Sequence, residues 1–246
     1  MDGLLLVNKP RGPTSFQIIK LLRRITGVKK IGHTGTLDPF ARGLLLVVFG
    51  KATKFVQVLQ NLEKEYIAKV LFGVSTETDD QEGEVLQERE IEPFEERELL
   101  DMLKNFQGRI TQVPPRFSAV KHRGERAYKR ARRGEDFQLE GRDVYISRIR
   151  MVYYNHPYLK VIVRCSKGTY IRAFARDFGK SMGTCASLFS LIRRSIGRWN
   201  ISDSFTIDSS TERGIVEERL IPLSHLSKEQ SEVYTSGLDV KKVCSV

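Results

Sequence analysis

The sequence predicts an α+β fold, a mixed and mostly antiparallel β-sheet with flanking helices. Three observations predict it. Helix-like and strand-like runs alternate irregularly along the 246 residues. Two strand-like runs, residues 144–154 and 158–165, have His156-Pro157 in the turn between them, as in a hairpin. No segment reads GxGxxG or GxxxxGK, so the glycine fingerprints of nucleotide-binding parallel sheets are absent from the sequence.

The elements follow in order. Residues 3–7 form a short apolar strand, broken by Pro10 and Gly12-Pro13. Thr14 precedes Gln17 by three, the spacing of a capping box. Ile18, Leu21, Leu22 and Ile25 recur at helical spacing, Lys20, Arg23 and Arg24 give the helix a basic side, and Gly27 stops it. Residues 44–49 read as a buried strand, 52–59 as a short helix and 66–72 as a strand. Residues 75–83 are polar and acidic, with Asp79 and Asp80 adjacent, and read as a solvated turn. Residues 95–106 read as a helix with Leu99, Leu100, Leu103 and Phe106 on its apolar side, ended by Gly108. Thr169 is placed to cap a helix over 170–180, with Ile171, Phe174, Ala175 and Phe178 as its stripe and Arg172 and Arg176 on another face. Residues 186–192 read as a further strand, and residues 228–246 are polar, weakly patterned and expected to be peripheral or partly mobile.

Composition narrows the function classes. Lys plus Arg is 41 against 30 Asp plus Glu, a formal charge of +11, which fits a polyanionic partner but also many ordinary soluble proteins. Cys165, Cys185 and Cys244 are odd in number and widely spaced, as are the four histidines, which suits neither a disulfide framework nor a metal cluster. The first ten residues lack the basic start of a signal peptide, and no apolar run approaches the roughly 18–20 residues that span a bilayer. The expectation is a cytoplasmic protein without a metal, a cofactor or a membrane segment.

Two regions carry candidate chemistry. Residues 32–43 crowd Gly32, Gly35, Pro39 and Gly43 with His33, Thr34, Thr36 and Asp38, beside the apolar strand. The Asp38 carboxylate precedes a proline that bars it from relaxed helical backbone. Asp38 reads as nucleophile, base or, least well, metal ligand, and equally as a turn cap. Between residues 121 and 133 there are seven Lys or Arg against one Glu, interleaved with Tyr128. That stretch reads either as a solvated charged hairpin or helix, or as a phosphate-contacting lobe.

Five segments in order resemble one family. KIGHTGTLDPFARGLLLVVFGKAT over residues 30–53 resembles the catalytic motif of the bacterial tRNA pseudouridine synthase B family. LLLVNKPRGPTS near the start, EKEY ending at Tyr66, VPPRFSAVKHRGERAYKRARRGE over 113–135, and RCSKGTYIRAFARDFG over 164–179 are similar to its other motifs. The resemblance implies the pseudouridine synthase fold with a basic RNA-binding cleft. It implies isomerisation of uridine 55 in the T loop of tRNA to pseudouridine, with no cofactor, because one glycosidic bond is broken and one formed. By the motifs, Asp38 is the catalytic carboxylate. Tyr66 stacks on the target base, and Arg172 pairs with the aspartate. His33 supports the rearranged RNA loop. Lys9, Arg42, Lys121, Arg123, Arg126, Tyr128, Lys129 and Arg130 are expected on the RNA, with Lys9 alternatively capping the first strand. Taken alone, Tyr66 also reads as a core aromatic, Arg172 as a solvated helix residue paired with Asp177, and His33 as a hydrogen-bonded loop residue.

The same resemblance implies a catalytic domain over 1–199 with an RNA-contacting insertion at about 113–142. Only 47 residues follow Trp199, so 200–246 is expected to be a short extension without a full PUA domain. Arg42 stands where the family often has threonine, and Phe117 where it has tyrosine. The competing readings are a synthase for another RNA uridine, a non-catalytic tRNA folding chaperone, and a base-excising enzyme that would release free uracil. A monomer with no protein partner is the default.

Overall fold

A computed structural model of the chain describes residues 1–225. The expectation for 228–246, and Cys244, lie outside the described residues. The chain folds as two compact units. The first comprises Met1–Pro39, Gly43–Asn61 and the described residues from Arg198 on; the second comprises Phe40–Arg42 and Leu62–Gly197.

In the first unit, strand β1 (Gly3–Lys9) lies antiparallel to β3 (Arg42–Phe49), pairing Gly3 with Phe49 and Lys9 with Gly43. The short strand β2 (Ile31–His33) pairs with the end of β3. Residues Phe205–Thr206 add to β1 in parallel and Ile221–Pro222 in antiparallel fashion, which makes the sheet mixed. Both β1 and β3 are continuous apolar runs, and Leu4 to Val7 and Leu44 to Phe49 are buried whichever face they point to. Helix α1 (Ser15–Thr26) begins with the expected capping box. Its Gln17 N–H donates to Thr14 Oγ1 at 3.1 Å and the Thr14 N–H to Gln17 Oε1 at 2.6 Å. It ends on Gly27 at φ 72°. Ile18, Ile19 and Leu22 pack against Leu5, Val7, Leu45, Val47 and Phe49, with Ile207 and Val216 from the late segment. The short helix after Gly50 is a 3-10 turn (Gly50–Phe55) running into α2 (Val56–Asn61).

In the second unit, β4 (Lys64–Phe72) is the centre. Its buried side alternates strictly, with Tyr66, Ala68, Val70 and Phe72 inside. The hairpin β5 (Val74–Thr76) and β6 (Val85–Glu88) follows, then α3 (Glu96–Asn105) and β7 (Gly108–Gln112). A second hairpin, β8 (Lys121–His122) and β9 (Glu125–Arg126), leads into helix α4 (Ala127–Arg132). The long strand β10 (Arg142–Asn155) turns through His156-Pro157 into β11 (Tyr158–Cys165), as the sequence predicts. Helix α5 (Ile171–Ser181) and β12 (Ala186–Ile196) complete the unit. The strand order is β12-β4-β11-β10-β7, antiparallel throughout. Phe174 and Phe178 of α5 stack on each other and meet Phe106 edge-on and Phe72 at a tilt, centroids 5.4–5.9 Å apart, and close this core.

Three local expectations are corrected. Gly108 does not end α3, which stops at Asn105; it opens β7 at φ 99°. Thr169 does not cap α5, because its hydroxyl donates to Ser166 O at 3.0 Å and Tyr170 takes the cap position. The acidic turn at 75–83 is solvated only in part: Thr76 and Asp80 are buried, and Thr78 O and Asp80 meet Arg172 of α5, while Glu77 and Glu82 stay exposed. Among the described residues no helix is long and apolar enough to cross a membrane.

Candidate active site

Asp38 sits in a loop whose backbone is pinned on both sides of it. The buried Ser15 hydroxyl accepts from the Leu37 N–H at 2.9 Å and donates to the Leu37 carbonyl at 3.2 Å. The Pro39 carbonyl accepts from the Gly12 N–H at 2.9 Å and from Lys9 Nζ at 3.3 Å. Leu37 and Phe40 are themselves buried, so the loop is anchored by side chains as well. Asp38 keeps partial exposure between these anchors. A carboxylate on fixed backbone, next to a proline, presents one direction to a ligand instead of sampling many.

Lys9 is corrected by the structure. It is fully buried, and its ammonium donates to Pro10 O (2.9 Å), Pro13 O (2.8 Å) and Pro39 O (3.3 Å). Its charge is satisfied by carbonyl dipoles inside the protein, so it holds the Asp38 loop instead of meeting RNA. His33 is half-buried in β2, and its Nδ1 accepts from the Gly35 N–H at 3.3 Å, which places the proton of the neutral ring on Nε2. Arg42, at the start of β3, is exposed.

Tyr66 is buried at 9% exposure on the inner side of β4. The register sets it opposite Val163 on β11 and Arg193 on β12, and partners across an antiparallel pair share a face. Lys64, two residues before it, points the same way and donates to Leu62 O at 2.6 Å. Burial first, and the Arg193 guanidinium second, lower the Lys64 pKa to about 8. Two buried cations thus stand on the tyrosine's face, and neither was singled out by sequence reading. Cys165, paired with Lys64, is fully buried, and burial pushes its thiol up to about 12. It is a small packing residue, not a nucleophile.

Arg172, which taken alone reads as a solvated helix residue, is 4% exposed. Its Nη1 donates to Thr78 O at 2.9 Å and lies 3.5 Å from Asp80 Oδ2, while Nη2 donates to Phe117 O at 3.0 Å. Asp177, its suggested partner by proximity in sequence, pairs with Arg176 instead. Asp80 Oδ1 accepts from Thr78 Oγ1 (2.6 Å) and from the Glu82 N–H (3.0 Å). A buried carboxylate with a guanidinium and two donors is a preoriented charge pair. Sequence reading missed Asp80 because its polar neighbours imitate a surface turn. The available signal was two arginines one helical turn apart on α5, matched by two adjacent acids.

The basic insertion is both a hairpin and a helix, and part of its charge is spent internally. Arg133 grips Glu125 with both Nη atoms (2.9 and 2.6 Å) and Glu135 with Nε (2.7 Å). Arg130 reaches Glu135 at 2.6 Å, and Arg126 donates to Ala119 O at 3.0 Å. These hydrogen bonds hold the Glu125 and Glu135 carboxyls below the usual range. Lys121, Arg123, Lys129 and Arg132 stay exposed, with the Arg132 guanidinium 5.6 Å from the Tyr128 ring centre.

Residues 23–171, more than half the chain, match the family described as TruB family pseudouridylate synthase (N terminal domain). The chain belongs to the TruB family of pseudouridylate synthases. Among similar proteins are the tRNA pseudouridine synthase B of Clostridium tetani, 39% identical over 97% of this chain and 83% of that one, and the protein of the same name from Bacillus pumilus, 40% identical over 93% and 78%. A solved Cbf5-Nop10-Gar1 complex contains a chain that superposes with a TM-score of 0.66 at 27% identity, over 83% of this chain and 52% of that one. This chain therefore spans about half the length of that structural relative.

Asp38, His33, Tyr66 and the basic insertion lie inside the stretch that matches the TruB family, and Arg172 lies one residue past it. The TruB family consists of isomerases that convert uridine to pseudouridine. The α+β fold with its mostly antiparallel sheet agrees with this membership.

Proposed function

We propose that this TruB-family chain isomerises uridine 55 in the T loop of tRNA to pseudouridine. The observation that carries the reading is the Asp38 loop, held by Ser15 on one side and by Gly12 and Lys9 on the other. The names of its relatives supply the substrate class.

In this reading the target uridine leaves its stack before C1′ or C6 can be reached, at a cost of a few kcal/mol. Tyr66 offers an aromatic face for the extruded base, and His33 fills the vacated space. Asp38, ionised, is the essential carboxylate. The family motifs assign Arg172 to orienting it. The N1–C1′ bond breaks, the uracil turns, and C5 bonds to C1′. The C5 proton leaves to solvent and N1 takes up a proton, so atoms and charges balance without a cofactor. Holding the detached uracil in place makes rejoining intramolecular, worth several kcal/mol of barrier. Lys121, Arg123, Lys129 and Arg132 contact phosphates without reading sequence.

The test uses an unmodified tRNA transcript tritiated at uridine C5. Wild type is expected to release tritium to water, and Asp38→Ala to bind the transcript and release none. Mapping the product then places the uridine. Binding by both proteins without release by either would refute the isomerase reading and favour a tRNA chaperone. Free uracil in the products would favour a base-excising enzyme.

A further inference from the structure

The side chains that tie helix α5 to the entry of the basic insertion have no part in the chemistry above. Gln112, 2% exposed at the end of β7, clamps the start of α5 with both ends of its amide. Its Nε2 donates to Tyr170 O at 3.3 Å and its Oε1 accepts from the Tyr170 N–H at 3.1 Å. One turn and more along the helix, Arg176 makes a three-way contact. Its Nη1 meets Asp79 Oδ2 at 2.9 Å, its Nε meets Asp177 Oδ1 at 2.9 Å, and its Nη2 donates to Val113 O at 2.8 Å.

The insertion beyond this point is cross-linked to itself. Arg116 donates to Glu135 O, and its guanidinium lies 5.2 Å from the Phe137 ring centre, across the neck. Arg130 lies over the same ring at 5.3 Å, and Glu135 gathers Arg130 and Arg133. A segment closed at its neck moves as one piece, so its attachment at 112–117 sets where its exposed cations stand. That attachment rests on α5.

We propose that Arg176 and Asp79 are positioning residues that hold the basic insertion at the angle in which its cations engage RNA. The inference rests on the reading above that the insertion contacts tRNA, and it adds residues outside the reacting site. The geometry of Asp79 favours this role over a merely structural one. Its backbone is left-handed at φ 60°, and its carboxylate is largely withdrawn from water. Burial raises its pKa, only partly offset by Arg176 and Arg172. A desolvated acid is a poor choice for stability alone, since burial disfavours its charged form.

The test measures three quantities for wild type, Arg176→Met, Arg176→Lys and Asp79→Asn: the Kd for an unmodified tRNA transcript, kcat at saturating transcript, and Tm. Arg176→Met is expected to raise Kd about 10-fold and change kcat less than about 2-fold, and lysine to restore part of the loss, since it cannot reproduce the forked contact. Asn tolerates the left-handed backbone and removes the buried charge. Asp79→Asn is therefore expected to raise Kd several-fold while Tm holds or rises. An unchanged Kd in both Arg176→Met and Asp79→Asn overturns the proposal. So does a Kd that worsens only in step with a falling Tm. Should Arg176→Met fail to fold, Asp79→Asn decides alone. A wild type that binds the transcript without releasing tritium defeats the isomerase reading and leaves this Kd comparison standing; one that does not bind defeats both.

Discussion

The Asp38 loop and the basic insertion are both polar, glycine-bearing and rich in charged neighbours, yet they are held by opposite means. The loop is fixed through its backbone, by a buried hydroxyl and a fully buried ammonium that donate to or accept from main-chain groups. The insertion is fixed through half-exposed ion pairs among its own side chains, such as Arg133 with Glu125 and Glu135. Buried hydrogen bonds are unscreened and costly to lose, whereas exposed ion pairs are weak and salt-sensitive. One arrangement suits a group that must keep one direction. The other suits a surface that trades protein contacts for phosphate contacts.

The largest way to break this contrast is Lys9→Met, which leaves three part-buried carbonyls without their buried ammonium. A loss of about 3–4 kcal/mol in stability is expected, together with a fall of at least about 100-fold in kcat. Denaturant melts at low and high salt check it, and the loss is expected to be the same in both. If instead Lys9→Met weakens only tRNA binding, its placement as a loop anchor is wrong.

Lys64 sharpens the contrast, as a buried cation set against Arg193 instead of against carbonyls alone. Its folded pKa of about 8 lies below the unfolded value of 10.5. The unfolded chain therefore holds the proton more tightly. The penalty of burying the charge is fully present below pH 8 and is relieved as pH rises from about 8 to 10.5. Lys64→Met is expected to abolish that contribution, about 3 kcal/mol across the window. Stability measured against pH for the two proteins checks the difference.

Salt probes the insertion. Four exposed cations on phosphates give a transcript Kd that rises about 100-fold between 50 and 200 mM salt, with kcat at saturation nearly constant. Lys129→Ala lowers the logarithmic slope by about 1. A slope that stays the same would remove Lys129 from the interface.

Ser15→Ala deletes one hydroxyl that serves both backbone groups of Leu37. About 1–2 kcal/mol and roughly a tenfold drop in kcat are expected, read from melts and single-turnover tritium release. The smallest effect belongs to Glu135→Gln. It loosens an exposed network, so Tm stays within the error of the measurement while the salt slope of binding steepens. A large drop in Tm would show that the insertion depends on its ion pairs as the Asp38 loop depends on its buried bonds.

Much of the fold was legible because local rules and tertiary packing agree. Thr14 with Gln17 and the following Gly27 delimit α1 within a residue, and the alternation of β4 names its buried side. Asp38 was legible through its motif. The burial of Lys9, Asp80 and Arg172 was not. Each is a charged residue with a partner far along the chain, Pro39 O thirty residues on for Lys9 and ninety-two residues between Asp80 and Arg172. Periodicity reports which face is apolar; it carries no sign that a charge has found carbonyls or a counter-ion far along the chain.

By itself the sequence determined the α+β class, the hairpin at His156-Pro157, the family motifs and the net positive charge that suits a polyanion. Tertiary structure alone decided which cations are spent inside. Lys9 went to the Asp38 loop, Arg172 and Arg176 to the acids at 79–80 and the insertion's entry, and Arg130 and Arg133 to Glu135. The physical reason is that desolvating a charge costs more than any local propensity contributes, so its position is settled only where folding brings its partners within hydrogen-bond reach.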